Sequence, residues 1–197
     1  MLLKTNSNYL LGAYSADNCY TFYMKSMTLI HTALFCEAKS IIEHFKMGCI
    51  QKKPYQIYSS ASLVLIVSGI GAKKTALHVE DILKRHEFIK AINLGIAGCK
   101  DESVEIGTLY CTNHKLSDID HLTLSSHDKA IEDKNALCTT LVDMEANSFL
   151  KICKEHLSSE NLFVFKVVSD HLSAKIPQKS FVEGLIKNSI KIWEKYV

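Results

Sequence analysis

Three acidic side chains stand at the ends of apolar runs, where an α/β sheet presents its chemistry. Ala33-Leu34-Phe35-Cys36-Glu37-Ala38 closes a strand-like run with Glu37, Val142-Asp143-Met144-Glu145-Ala146 opens an amphipathic helix with Glu145, and Phe165-Lys166-Val167-Val168-Ser169-Asp170 ends another run with Ser169 and Asp170. Carboxylates in separate environments can divide proton donation, proton acceptance and charge stabilisation among themselves. Each also has a plainer role open to it. Glu37 and Glu145 fit first-turn acids that complement a helix dipole, and Asp170 fits the cap of a short turn.

Other spacings carry less. Gly69-Ile70-Gly71 follows a strand and opens a helix, but Lys74 occupies the third glycine position of a dinucleotide fingerprint. The run Gly71-Ala72-Lys73-Lys74-Thr75 lacks the glycine that must precede the lysine of a phosphate-binding loop. His114, Asp118, Asp120, His121, His127 and Asp128 crowd one polar stretch without metal-ligand spacing, so a solvated loop is expected there. Neither a metal nor a cofactor is expected.

The elements that must position the three acids read as an α/β domain, strands alternating with segments of helical period from Thr28 onward. Strands are predicted at 28–35, 62–67, 88–94, 107–112 and 162–168, and helices at about 37–45, from 72, from 146 to 157 and at 180–196. The last helix is expected to pack through Phe181, Leu185, Ile190 and Trp193. The glycines of Ser68-Gly69-Ile70-Gly71 and Gly95-Ile96-Ala97-Gly98 read as turns that close strands. In an open α/β sheet ligands collect at the carboxyl ends of the strands, where these segments and the acids fall.

Bulk properties narrow the class. The 197 residues are 47% hydrophobic, which suits one compact domain over 27–197, with 1–26 as an N-terminal extension of uncertain status. A net charge of +2 gives no field toward nucleic acid or an anionic membrane. Seven scattered cysteines form no metal knuckle or disulfide framework, and no apolar run is long enough to span a membrane. A cytoplasmic protein is expected.

Taken together, the Met144-Glu145-Ala146 and Ser169-Asp170 segments resemble the hallmark segments of the nucleoside phosphorylase/nucleosidase superfamily. Val67-Ser68-Gly69-Ile70-Gly71, Asn93-Leu94-Gly95-Ile96-Ala97-Gly98 and Glu105-Ile106-Gly107-Thr108 fall between Glu37 and Glu145 in the family's order. The likeness runs from about Thr28 to the C-terminus. It is nearest to methylthioadenosine/S-adenosylhomocysteine nucleosidases and to short hopanoid-associated relatives.

The resemblance implies a three-layer α/β/α fold with a central mixed twisted sheet, a homodimer, and cleavage of a purine, adenine in the relatives named, from its ribose. It makes Asp170, held by Ser169, the general acid toward N7 of the base, and Glu37 the group that activates water. Glu145 binds the ribose hydroxyls, with Met144 against the sugar and Phe181 against the nucleoside. Gly71, Ile96, Ala97, Gly98 and Lys166 complete the implied substrate contacts. Such cleavage passes through an oxocarbenium-like sugar, which requires a protonated leaving group, nearby negative charge and a nucleophile on the opposite side.

Arginine usage separates hydrolysis from phosphorolysis. Phosphate needs a clamp that phosphorylases of this kind build largely from arginine, yet Arg85 is the chain's single arginine and lies in a helix away from the strand ends. Lys166 stands where the family commonly has arginine, and a lysine cannot reproduce the bidentate fork. Water is the expected nucleophile; phosphorolysis and nucleoside binding without turnover are the alternatives. The segment between Gly107 and Asp143, which in the family reads the base, is short here and leaves the substrate's 5′ group open.

Overall fold

The computed structural model describes residues 27–129, 131–173 and 175–197, so the extension at 1–26 lies outside the described residues. These build a nine-stranded mixed sheet with four α-helices. The strands are β1 (Thr28–Thr32), β2 (Gly48–Gln51), β3 (Gln56–Ser60), β4 (Leu63–Val67), β5 (Lys90–Cys99), β6 (Leu109–Cys111), β7 (Leu124–Ser126), β8 (Leu141–Asp143) and β9 (Leu162–Asp170). The helices are α1 (Phe35–His44), α2 (Ala72–Arg85), α3 (Ala146–Cys153) and α4 (Lys179–Trp193).

At the centre β4, β1, β5 and β9 run parallel in that spatial order. Buried on both faces, they read as near-continuous apolar runs, as parallel strands do. Helices α1 and α4 cover one face over a core that includes Ile41, Leu94, Phe165, Ile186 and Trp193. Helices α2 and α3 cover the other over Val79, Ile82, Phe149 and Val164. The expected three layers are present.

Strand β5 organises the functional end. Its pairing with β1 stops at His31–Asn93, while β8 joins antiparallel only at Gly98–Val142. Between those points one edge of β5 has no strand beside it. On the other edge β9 stays in register until an irregularity at Ala97/Gly98. The sheet thus divides at the carboxyl ends of β1 and β5, the place an α/β sheet offers a ligand.

Three expectations are corrected, and one hairpin is added. Gly95-Ile96-Ala97-Gly98 does not close a strand but continues β5 to Cys99. Leu141–Asp143 is a strand, and α3 begins at Ala146 and stops at Cys153. The hairpin β2–β3 was not anticipated, because β2 is an exposed edge without an apolar face. The inward stripe of α4 is Val182, Leu185, Ile186, Ile190 and Trp193, which leaves Phe181 43% exposed.

Candidate functional site

Glu37 lies in the first turn of α1 and folds back over the end of β1. Its Oε2 accepts the Ala33 amide at 3.0 Å and the Leu34 amide at 2.8 Å, and its Oε1 accepts the Ile96 amide at 3.0 Å. The Ile96 donor comes from the stretch of β5 that β1 has left unpaired. A carboxylate offers about four acceptor sites, so these three amides leave about one. A side chain at position 95 could not coexist with this arrangement, since a Cβ there would meet Glu37 Oε1 at 2.8 Å. Burial pushes the Glu37 pKa above the ordinary carboxylate value, against the opposing pull of Lys166 and the three amides.

Lys166, on β9 opposite Gly95, forms a 2.7 Å ion pair with Asp143, and both side chains are buried. Asp143 is further held by the Ala146 amide at 2.9 Å and by the Ser126 hydroxyl. Burial works against the charge on Lys166, yet Asp143, Glu145 and Glu37 hold its pKa above the usual lysine value.

Glu145 occupies the N-cap position of α3, not its first turn, and its side chain makes no cap bond. The carboxylate instead crosses to the β4–α2 turn, where Oε1 accepts the Gly71 amide at 2.6 Å. Gly71 has φ of 100°, a left-handed backbone that favours glycine. Burial raises the Glu145 pKa to about 7, opposed by Lys166 and the Gly71 amide.

Asp170 ends β9 on the other side of β5. Ser169 Oγ lies 2.6 Å from Asp170 Oδ2 and 3.3 Å from the Ala97 carbonyl, and the Ser173 amide donates to Asp170 Oδ1 at 2.9 Å. The turn-capping bond is therefore made, together with the Ser169 contact. Asp170 itself is half-buried. Asp170, Asp143, Met144, Gly98 and Lys129 line a hollow of about 130 Å³.

Most of the expected residues thus meet around the split in the sheet. Glu37 with Ile96, Glu145 with Gly71, and Lys166 form one buried polar group; Asp170, Ser169, Ala97, Gly98 and Met144 gather beside it. Glu37 and Glu145 do not line the hollow itself. Phe181 does not line it either. A larger groove of about 380 Å³ between α1 and α4, bordered by Ser40, His44 and Lys187, contains none of the expected residues.

Arg85 sits at the end of α2, paired with Asp81 at 2.8 Å. In the polar stretch, His114 bonds the Leu162 carbonyl, His121 the Cys111 carbonyl, and Asp118 pairs with Lys195. Among the described residues no group of three metal-ligating side chains occurs, and no helix is long and apolar enough to cross a membrane.

Sequence reasoning singled out neither His31 nor Asp143, and it placed Ser68 and Gly95 at strand ends without the contacts they make. The available signal was chemical: a polar residue inside a run buried on both faces must find a partner. His31 and Lys166 are such residues.

No protein-family model matches the sequence, and no curated protein matches it. Solved structures do. A methylthioadenosine/S-adenosylhomocysteine nucleosidase from Helicobacter pylori, with butyl-thio-DADMe-Immucillin-A, superposes with a TM-score of 0.75 at 15% identity, over 88% of this chain and 98% of that one. A futalosine hydrolase mutant from Helicobacter pylori gives 0.73 at 14% identity, over 87% and 98%. The corresponding nucleosidase from Campylobacter jejuni gives 0.71 at 18%, over 87% and 98%. The chain therefore has the fold of the methylthioadenosine/S-adenosylhomocysteine nucleosidases and futalosine hydrolases.

Proposed function

We propose that the protein is a purine nucleosidase that hydrolyses the N-glycosidic bond of an adenine nucleoside such as 5′-methylthioadenosine or S-adenosylhomocysteine. The observation that carries this reading is the meeting of Glu37 and Glu145 around Lys166 where β1 and β5 part, with Ser169-Asp170 on the neighbouring strand end.

In this reading Asp170 delivers a proton toward N7 as the bond to C1′ lengthens, and the electron pair of that bond leaves with the base. Positive charge develops on the sugar as it does so. Glu145 accepts the ribose hydroxyls and places negative charge beside that sugar. The acceptor site that the three amides leave on Glu37 holds a water, whose oxygen adds to C1′ while its proton passes to Glu37. Positioned proton transfer of this kind contributes about 10² to 10⁴ in rate.

Water is favoured over phosphate because Lys166 is committed to Asp143 and cannot form the bidentate fork of an arginine. The reading extends to a cytoplasmic homodimer, with residues 27–197 as one catalytic domain and no cofactor.

Adenine release from methylthioadenosine, S-adenosylhomocysteine and 5′-deoxyadenosine in phosphate-free buffer tests it; release only after phosphate is added replaces hydrolysis with phosphorolysis. One observation favours a second reading, a nucleoside binder without turnover: Glu37 and Glu145 do not line the hollow that Asp170 lines. Binding without release, unaffected by Asp170→Asn, supports that reading.

A further inference from the structure

Ser68, the residue that links β4 to the Gly71 turn, has both of its oxygens engaged by histidines. His31 Nε2 lies 2.8 Å from Ser68 Oγ, and His78 Nδ1 lies 2.8 Å from the Ser68 carbonyl oxygen. The Ser68 hydroxyl itself donates to the Gly69 carbonyl at 2.9 Å, which leaves it to accept from His31. On the other side of the ring, Asn93 Nδ2 lies 2.6 Å from His31 Nδ1. These donors fit a neutral imidazole carrying its proton on Nε2. Burial, then the charges of Lys166 and His78, push the His31 pKa down to about 3, so the ring stays neutral at ordinary pH.

The position of His31 is unusual for a polar side chain. It sits in the middle of three parallel strands, between Ile66 of β4 and Asn93 of β5, and is fully buried. Its ring stacks on Phe149 with centroids 5.4 Å apart. Phe149 belongs to the first turn of α3, where its amide bonds the Glu145 carbonyl at 2.9 Å. One ring therefore touches β5, the β4–α2 turn and the helix that carries Glu145. His78 reaches the same turn from α2, with its own ring stacked on Tyr55 at 4.5 Å.

The turn held in this way connects to both buried glutamates. The Gly69 amide donates to the Ala33 carbonyl at 3.0 Å, and the Ala33 amide donates to Glu37. Two residues further on, the Gly71 amide donates to Glu145. Gly69 and Gly71 both have positive φ and no side chain to restrict them, so the turn has little stiffness of its own. Its shape must be imposed by neighbours. The two histidine contacts at Ser68 are among those that do so.

We propose that His31 and His78 are positioning residues that clamp Ser68 and thereby set the Gly71 amide, and through it the Glu145 carboxylate, for recognition of the ribose hydroxyls. This rests on the reading of Glu145 as the ribose-binding group. Neither histidine touches the nucleoside.

The test compares kcat/KM for an adenine nucleoside and its 2′-deoxy counterpart in the wild type, His31→Phe, His78→Ala and Glu145→Ala, with thermal unfolding followed in parallel. His31→Phe keeps the ring and its stacking but removes both hydrogen bonds. A charge-assisted hydrogen bond to the 2′-hydroxyl should favour the ribonucleoside about tenfold or more over the ratio set by the intrinsically more labile 2′-deoxy bond, and Glu145→Ala should lower the ratio by about that factor. At a temperature well below unfolding, the two histidine variants should reduce the preference at least about threefold, mainly through KM for the ribonucleoside. A merely structural role would lower the unfolding temperature and leave the ratio alone. A ratio unmoved by Glu145→Ala overturns the reading of the site and the inference with it. A ratio that collapses in Glu145→Ala but holds in His31→Phe and His78→Ala overturns the inference alone. Should His31→Phe fail to fold, His78→Ala, on a half-buried helical position, decides by the same criterion.

Discussion

Lys166 Nζ lies 2.7 Å from Asp143 Oδ2, and the two side chains are 2% and 1% exposed. With Glu37 and Glu145 also acting on this lysine, one cation serves three buried carboxylates. Removing one member of a buried pair leaves the other charged and unpaired, which costs about 3–5 kcal/mol. Lys166→Met is therefore expected to lose about that much unfolding free energy in urea. The double variant Lys166→Met/Asp143→Leu should recover much of it. A loss below about 1 kcal/mol in the single variant would mean the pair is solvated in solution.

Gly95 faces Glu37 so closely that an added methyl group would meet Oε1 at 2.8 Å. Three amides hold that carboxylate, so it cannot swing aside freely. Gly95→Ala should destabilise the wild type by about 1–3 kcal/mol, the usual cost of overpacking. In a Glu37→Ala background the same change should cost markedly less, because the clashing atoms are gone. Equal costs in the two backgrounds, read as a double-mutant cycle, would contradict the close approach.

Glu145 has its pKa raised from 4.5 to about 7 by burial, against Lys166 and the Gly71 amide. The folded state therefore holds this proton more tightly than the unfolded chain. The stabilisation is fully present below the ordinary carboxylate value and is lost as pH rises through about 7. Glutamine at this position does not titrate. Relative to wild type, Glu145→Gln should gain on the order of 1–3 kcal/mol in unfolding free energy between pH 4.5 and pH 8. A flat difference across that range would place Glu145 in a more solvated setting.

The same titration bears on catalysis. If Glu145 binds the ribose hydroxyls as proposed, its protonated form is the poorer acceptor, and kcat/KM should climb as pH rises through about 7. The limb belongs to the free enzyme, and Glu145→Gln should abolish it while lowering kcat/KM throughout. Persistence of the limb in Glu145→Gln would assign it to another group.

The layered fold was legible because β1, β4 and β9 are buried on both faces and the inward stripe of α2 includes Val79 and Leu83 at helical spacing, although Thr75 and Ile82 complete it in place of Ala72 and Ala76. Gly69-Ile70-Gly71 forms a turn and Gly95-Ile96-Ala97-Gly98 continues a strand, although both are glycine-rich segments after an apolar run. Glycine marks either a backbone conformation or a close approach. Gly69 and Gly71 have positive φ, whereas Gly95 is ordinary strand that must admit Glu37. Only coordinates separate the two uses. Val142-Asp143 has the composition of a helix start, yet pairing with β5 and β7 makes it strand, and no local pattern reports a partner so distant in sequence. Phe181 looked inward because it falls near the stripe that Leu185 and Trp193 define, but the helix presents Val182 instead. His31 and Asp143 were hidden by their settings, one inside an apolar strand and the other beside a more conspicuous Met-Glu pair.

Cleavage of a nucleoside with Asp170 as the proposed proton donor is decided by single-turnover adenine release from methylthioadenosine in phosphate-free buffer, compared between wild type and Asp170→Asn. The expected result is release by the wild type and a rate lower by about 10² or more in the variant, with substrate affinity changed only modestly. Equal rates in the two proteins, or no release by the wild type despite binding, would contradict it.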